Sequence, residues 1–222
     1  MRGKGIQVVI QERALRTRRA ILEAASIVFE KRGFVAAPLS EIIAASGVTK
    51  GALYFHFSSK EELARGVIEA QFSAMGQLRL QGSPLQQAID STHAVAHALQ
   101  HVPLVRAGVR LVIEQGSFTE PDPEPYLRWV EPAQAFLEQA RTEGELRPEV
   151  DVLAVAQLIV ALFTGTQLMA QVLTQWEDLD ERITAFWRVV LPGLAMPEAL
   201  RRLKPEGAVK FPDGPEVPGS AG

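Results

Sequence analysis

The sequence predicts an all-α protein, with a small N-terminal helix-turn-helix unit of three helices and a larger helical part behind it. Three observations carry this prediction. Apolar residues recur at helical spacing along most of the chain. No alternating strand pattern with hairpin turn residues competes, and there is no internal repeat. Charge is unevenly split: residues 1–65 hold eleven Lys and Arg against six Asp and Glu, and residues 66–222 hold twelve against twenty. The net charge of −3 thus hides a basic end on an acidic body, the layout of a phosphate-facing module joined to a part with another task.

Composition bounds the rest. Hydrophobic residues make up 47% of the 222 and charged residues 22%, which supports a sizeable buried core. There is no cysteine, so disulfides, thiol nucleophiles and Cys-based zinc sites are excluded together. This fits a reducing cytoplasm. No signal-peptide pattern opens the sequence. The most apolar stretch, residues 152–169, is interrupted by Gln157, Thr164, Thr166 and Gln167, so it reads as a buried interface helix rather than a membrane span.

The elements follow in order. Residues 1–11 read as a flexible basic arm. From Glu12 a helix begins whose inner face is Ile21, Leu22, Ala25, Val28 and Phe29, with Gly33 as its stop. Pro38 opens a short helix with Ile42 and Ile43 inward, and Gly47 breaks it. Thr49 is a good N-cap for a third helix, Lys50–His56, in which Leu53, Phe55 and Phe57 are expected as core. Ser58 with Glu61 makes a capping box for a fourth helix running towards Leu80. The helix-turn-helix unit therefore spans 12–57. Further helices are expected near 85–101, 104–115, 125–143, 152–176 and 179–194, completing a body over 58–203. Residues 204–222, rich in Pro and Gly and poor in apolar side chains, read as a disordered tail.

A helix that follows such a turn enters the major groove of double-stranded DNA with its N-terminal residues towards base edges and phosphates. Those residues are Thr49, Lys50, Gly51 and Ala52. Small Gly51 and Ala52 let backbone and groove approach closely. Lys50 can donate to guanine or phosphate, and Ala52 can touch a thymine methyl. Tyr54 and His56 carry polar tips suited to phosphate. Lys60 lies in the next helix's first turn, where free N–H groups also favour an anion.

Residues 47–63, GVTKGALYFHFSSKEEL, resemble the DNA-binding signature of the tetracycline-repressor (TetR) family. Residues 21–34 and 39–45 share the pattern. Within that family the wording is most similar to the γ-butyrolactone autoregulator receptors of actinomycetes. Residues 106–111, Trp129 and 163–167 extend the likeness, which covers about 13–194. One departure is Pro38, where the family usually has a Thr cap.

The resemblance implies a dimeric repressor on a palindromic operator, with a helical ligand-binding and dimerisation domain. A small lactone would release it, and antibiotic production would be under its control. By the same resemblance Trp129 covers the lactone ring, Gln71 donates to it and Thr164 bonds an oxygen. A pseudo-receptor answering to an antibiotic or its precursor, and a DNA-bound protein without effector, are the alternatives. The apolar 152–172 helix and the stripe Ile183, Phe186, Trp187, Val190 and Leu191 suit a four-helix interface between two copies. Arg106 and Arg110 read as structural ion pairs. An enzyme is not expected. His93, His97 and His101 are spaced by four, but no HExxH motif, phosphate loop or nucleophile elbow accompanies them. No cofactor and no metal are implied.

Overall fold

The computed structural model describes residues 2–76, 80–209 and 211, with side chains from residue 11 onward. Its elements are α1 (Arg2–Ala36), α2 (Leu39–Ser46), α3 (Lys50–His56), α4 (Lys60–Met75), α5 (Pro84–His101), α6 (Pro103–Ile113), α7 (Glu124–Thr142), α8 (Val152–Thr174), α9 (Leu179–Leu194) and α10 (Pro197–Leu200). Among the described residues the only β pairing is one bridge, Leu146 to Ala195. The chain forms two compact units: 1–77 with 103–122, and 78–102 with 123–222.

The first unit differs from the expected 12–57 module. It recruits α4 and, out of chain order, α6, which packs on α1 and α4. Long-range ionic contacts hold α6 there. Arg106 Nε donates to Glu30 Oε1 at 2.6 Å, and Arg110 Nη1 donates to the Glu30 carbonyl at 2.7 Å. Arg110 Nε also pairs with Glu114, whose other oxygen accepts the Phe34 N–H at 3.0 Å. Both arginines are thus in ion pairs, as expected. Arg110 and Glu114 close on Gly33, where α1 breaks with φ +69° and ψ 178°, a backbone state that is essentially glycine-only. A Cβ here would also lie 2.7 Å from the Arg110 guanidinium.

α1 starts at Arg2, not at Glu12. Residues 2–11 contain no proline, and extending an existing helix costs far less than nucleating one. The core of this unit is Ile21, Phe29, Ile42, Leu53, Phe57 and Leu63, all buried.

In the second unit α5 packs on α7 and α9, and α8 lies against both α7 and α9. Leu85, Ile89, Leu99, Leu137, Ile183 and Trp187 are fully buried. Trp187 Nε1 donates to Thr92 Oγ1 at 2.8 Å. Trp187 is therefore intramolecular core and not part of an interface stripe. Phe186, one residue earlier and about 100° around the helix, is half-buried.

The start of the expected tail is bound to α5. Gln86 donates to the Lys204 carbonyl at 3.2 Å and accepts the Lys204 N–H at 2.8 Å. Asp90 accepts the Ala208 N–H at 2.7 Å. His93 pairs through Nδ1 with Asp180 at 2.6 Å and through Nε2 with the Pro205 carbonyl at 2.9 Å. Positions 86, 90 and 93 form one stripe of α5. Polar partners on that stripe replace the apolar contacts that residues 204–208 lack. The tail beyond 211 lies outside the described residues.

Candidate DNA-reading head and effector residues

The helix-turn-helix is built locally. α2 ends at Gly47, whose φ of +67° is the left-handed cap that turns the chain. Pro38 supplies no side-chain bond at the other end of α2. Thr49 caps α3, accepting the Ala52 N–H at 3.1 Å. Leu53 and Phe57, four residues apart, anchor α3 inward. Phe55 is 81% exposed and so is not core. At 100° per residue it stands about 200° from Leu53 and 200° from Phe57, so all three cannot share one face.

The outward face of α3 presents Lys50, Gly51 and Tyr54. Lys50 Nζ lies 5.9 Å from the Tyr54 ring centre. Ala52 is half-buried, and His56 is half-buried with its ring edge-on to Phe55. A Cβ built on Gly51 meets nothing within 4 Å, and its φ is ordinary. The domain itself gives no reason for a glycine here, although one inside a helix costs roughly 1 kcal/mol against alanine. Exposed Arg13, Arg16, Arg18 and Arg19 on α1 add positive charge to the same unit.

Lys60 is turned inward. Its Nζ sits 4.6 Å from the Phe34 ring centre and donates to the Val35 carbonyl at 3.4 Å. Loss of hydration lowers its pKa. Pairing with a phosphate would compete with these contacts. The cap of α4 is one residue later than expected: Ser59 accepts the Glu62 N–H at 3.1 Å, and the Ser58 N–H donates back to the Glu62 carboxylate at 2.6 Å. The bonds from the Ser58 hydroxyl and N–H hold Glu62 below the ordinary carboxylate range. That stabilisation is full above the ordinary value and is lost as pH falls through the folded one.

Gln71, on α4 in the first unit, is buried, and its Oε1 has no hydrogen-bond partner among the described residues. Its side chain lies against Gly108 of α6, where a Cβ would overlap it. In the second unit Trp129 is half-buried, edge-on to Tyr126 at 5.3 Å. Thr164 is half-buried, and its hydroxyl donates to the Val160 carbonyl at 2.8 Å. Gln167, which the sequence marked only as a polar interruption of this stretch and as part of the family likeness, is the one long polar side chain on the inward stripe Val152, Ala156, Ile159, Gln167, Ala170. That interruption of an apolar stripe is a readable signal.

α3, its cap and the turn before it make the first unit the reading head of a helix-turn-helix DNA-binding regulator. The chain belongs to the TetR family of bacterial regulatory proteins: the model of that family matches residues 21–67, and the model of a tetracyclin repressor-like C-terminal domain matches 82–196. It is 41% identical over 199 residues to the A-factor receptor protein of Streptomyces griseus, covering 90% of this chain and 71% of that one. It is similar to the crystal structure of TylP, a TetR regulator from Streptomyces fradiae, with a TM-score of 0.78 at 42% identity over 87% of this chain and 93% of that one. A γ-butyrolactone receptor described as ArpA-like gives a TM-score of 0.67 at 29% identity, over 87% and 96% of the two chains. The protein is a TetR-family DNA-binding repressor.

Proposed function

We propose that the protein binds a palindromic operator as a homodimer and leaves it when a γ-butyrolactone or related lactone binds, and that antibiotic production is among the processes it controls. The observation that carries the DNA half is the outward face of α3, with its unexplained Gly51 beside Lys50 and Tyr54. Close approach of a DNA groove is the reason for a glycine that the domain itself lacks. Thr49, Ala52, His56 and, once released from Phe34, Lys60 complete the proposed contacts.

The homodimer is supported by α8. Leu158, Leu162, Met169 and Val172 are exposed in the single chain and follow spacings of four, seven and three around Gly165. This is a heptad-like apolar seam, the kind two helices bury against each other. α8 is long and apolar enough to cross a membrane by length and composition, but it packs on α7 and α9. Gln71, Trp129 and Thr164 are the proposed effector contacts. The likeness to an A-factor receptor and a γ-butyrolactone receptor supports the ligand class.

Two substitutions test the DNA face, using an operator selected from random double-stranded DNA. Gly51→Ala is expected to stabilise the free protein by up to about 1 kcal/mol while weakening operator binding. Lys50→Ala is expected to cost about 1–3 kcal/mol of operator affinity at fixed salt if the lysine reads a base. Thermal melts and gel shifts report the two quantities separately. Unchanged affinity in both variants removes α3 from the interface.

A further inference from the structure

We propose that Gln167 is the hydrogen-bond donor that recognises the carbonyl of the lactone effector. The inference rests on the effector reading above and adds a residue to it.

Gln167 is 2% exposed and sits on the inward stripe of α8, among Ala156, Ile159 and Ala170. Its amide orientation is set by chemistry. Trp176 Nε1 lies 3.3 Å from Gln167 Oε1, and an indole N–H can only donate. The oxygen therefore faces Trp176 and the NH₂ faces away. That NH₂ is buried without a partner among the described residues. An unpaired buried donor is costly, on the order of 1–3 kcal/mol, so it calls for an acceptor, which a ligand in a binding domain can supply.

A lactone has a carbonyl and a ring oxygen. Both accept and neither donates, so its site must hold donors. Thr164, one turn earlier on α8, has its hydroxyl proton committed to the Val160 carbonyl. It can donate to a lactone oxygen only by giving up that bond. Gln167 Nε2–H is the uncommitted donor at the next inward position. Trp176 holds the amide in place. Residues 175 and 176 both adopt left-handed backbone, with φ of +53° and +66°, and the Trp176 carbonyl accepts from Gln100 Nε2 at 2.8 Å. This strained turn fixes the indole that orients Gln167.

The test uses two probes, an alkyl-substituted γ-butyrolactone and its tetrahydrofuran counterpart without the ring carbonyl. Release from a selected operator is titrated for wild type, Gln167→Met and Gln167→Glu, with thermal melts to identify the folded variants. The wild type is expected to respond to the lactone at lower concentration than to the tetrahydrofuran. Gln167→Met should need about tenfold more lactone, the value of one hydrogen bond, and should lose its preference between the probes. Gln167→Glu keeps the acceptor for Trp176 but presents an acceptor to the carbonyl, so it should respond least. A structural role alone would shift both probes equally in both variants. If either folded variant keeps the wild-type preference, the assignment is wrong while the effector reading stands. A wild type that no lactone releases overturns both.

Discussion

Met169→Asp combined with Val172→Asp is expected to convert the proposed dimer to a folded monomer. These side chains are 58% and 82% exposed in the single chain, so the change leaves the monomer's core intact. In a dimer sealed by the α8 seam, each aspartate would be buried against apolar side chains without a counterion. Burying an unpaired charge costs several kcal/mol, and a two-fold seam counts each substitution twice. Sedimentation should show half the mass. Operator affinity should fall by about 10²–10⁴-fold, because one reading head no longer holds the second at high effective concentration. Retention of the dimer would move the interface away from α8.

Trp187→Ala should act on the fold instead. Trp187 has no exposed surface, and its indole N–H is bonded to Thr92. Truncating a buried tryptophan costs about 3–5 kcal/mol. The thermal midpoint should fall by on the order of 10 °C for a domain of this size. The fraction that remains folded should still sediment as a dimer. Phe186→Ala, at a half-buried site, should cost clearly less. A Trp187 variant that melts normally but sediments as a monomer would place this residue at the interface after all.

The reading head was legible because its determinants are local. Gly47 stops α2, Thr49 caps α3, and Lys50–His56 follows from them within ten residues. Local signals failed where two of them overlapped. Ser58 and Ser59 each stand three residues before a glutamate, and the cap formed on the second. Leu53, Phe55 and Phe57 alternate in the sequence, but a helix turns the middle one outward.

Elsewhere the deciding partner was distant along the chain. Glu30 meets Arg106 and Arg110, which carries α6 into the first unit. Gln86, Asp90 and His93 hold residues 204–208 across more than a hundred positions, so composition alone read that segment as disordered. Trp187 and the α8 seam show the same difficulty in energetic form. An apolar residue announces burial, not which surface buries it. The proposed effector residues are the least local feature. Thr164's spent proton and Gln167's unspent one are visible only once hydrogen-bond partners are known.

The most direct test of the whole account is effector-dependent operator binding. Random double-stranded DNA is selected with the purified protein. The bound site is then titrated with an alkyl γ-butyrolactone, for wild type and for Trp129→Ala. The expected site is a palindrome whose half-sites are about 34–36 Å apart, bound by wild type and released by the lactone. Trp129→Ala should bind the same site and resist release. Release requires the lactone to favour the DNA-free state, a coupling of typically about 1–3 kcal/mol. Selection of no sequence, or a site that stays occupied at every lactone concentration, would contradict it.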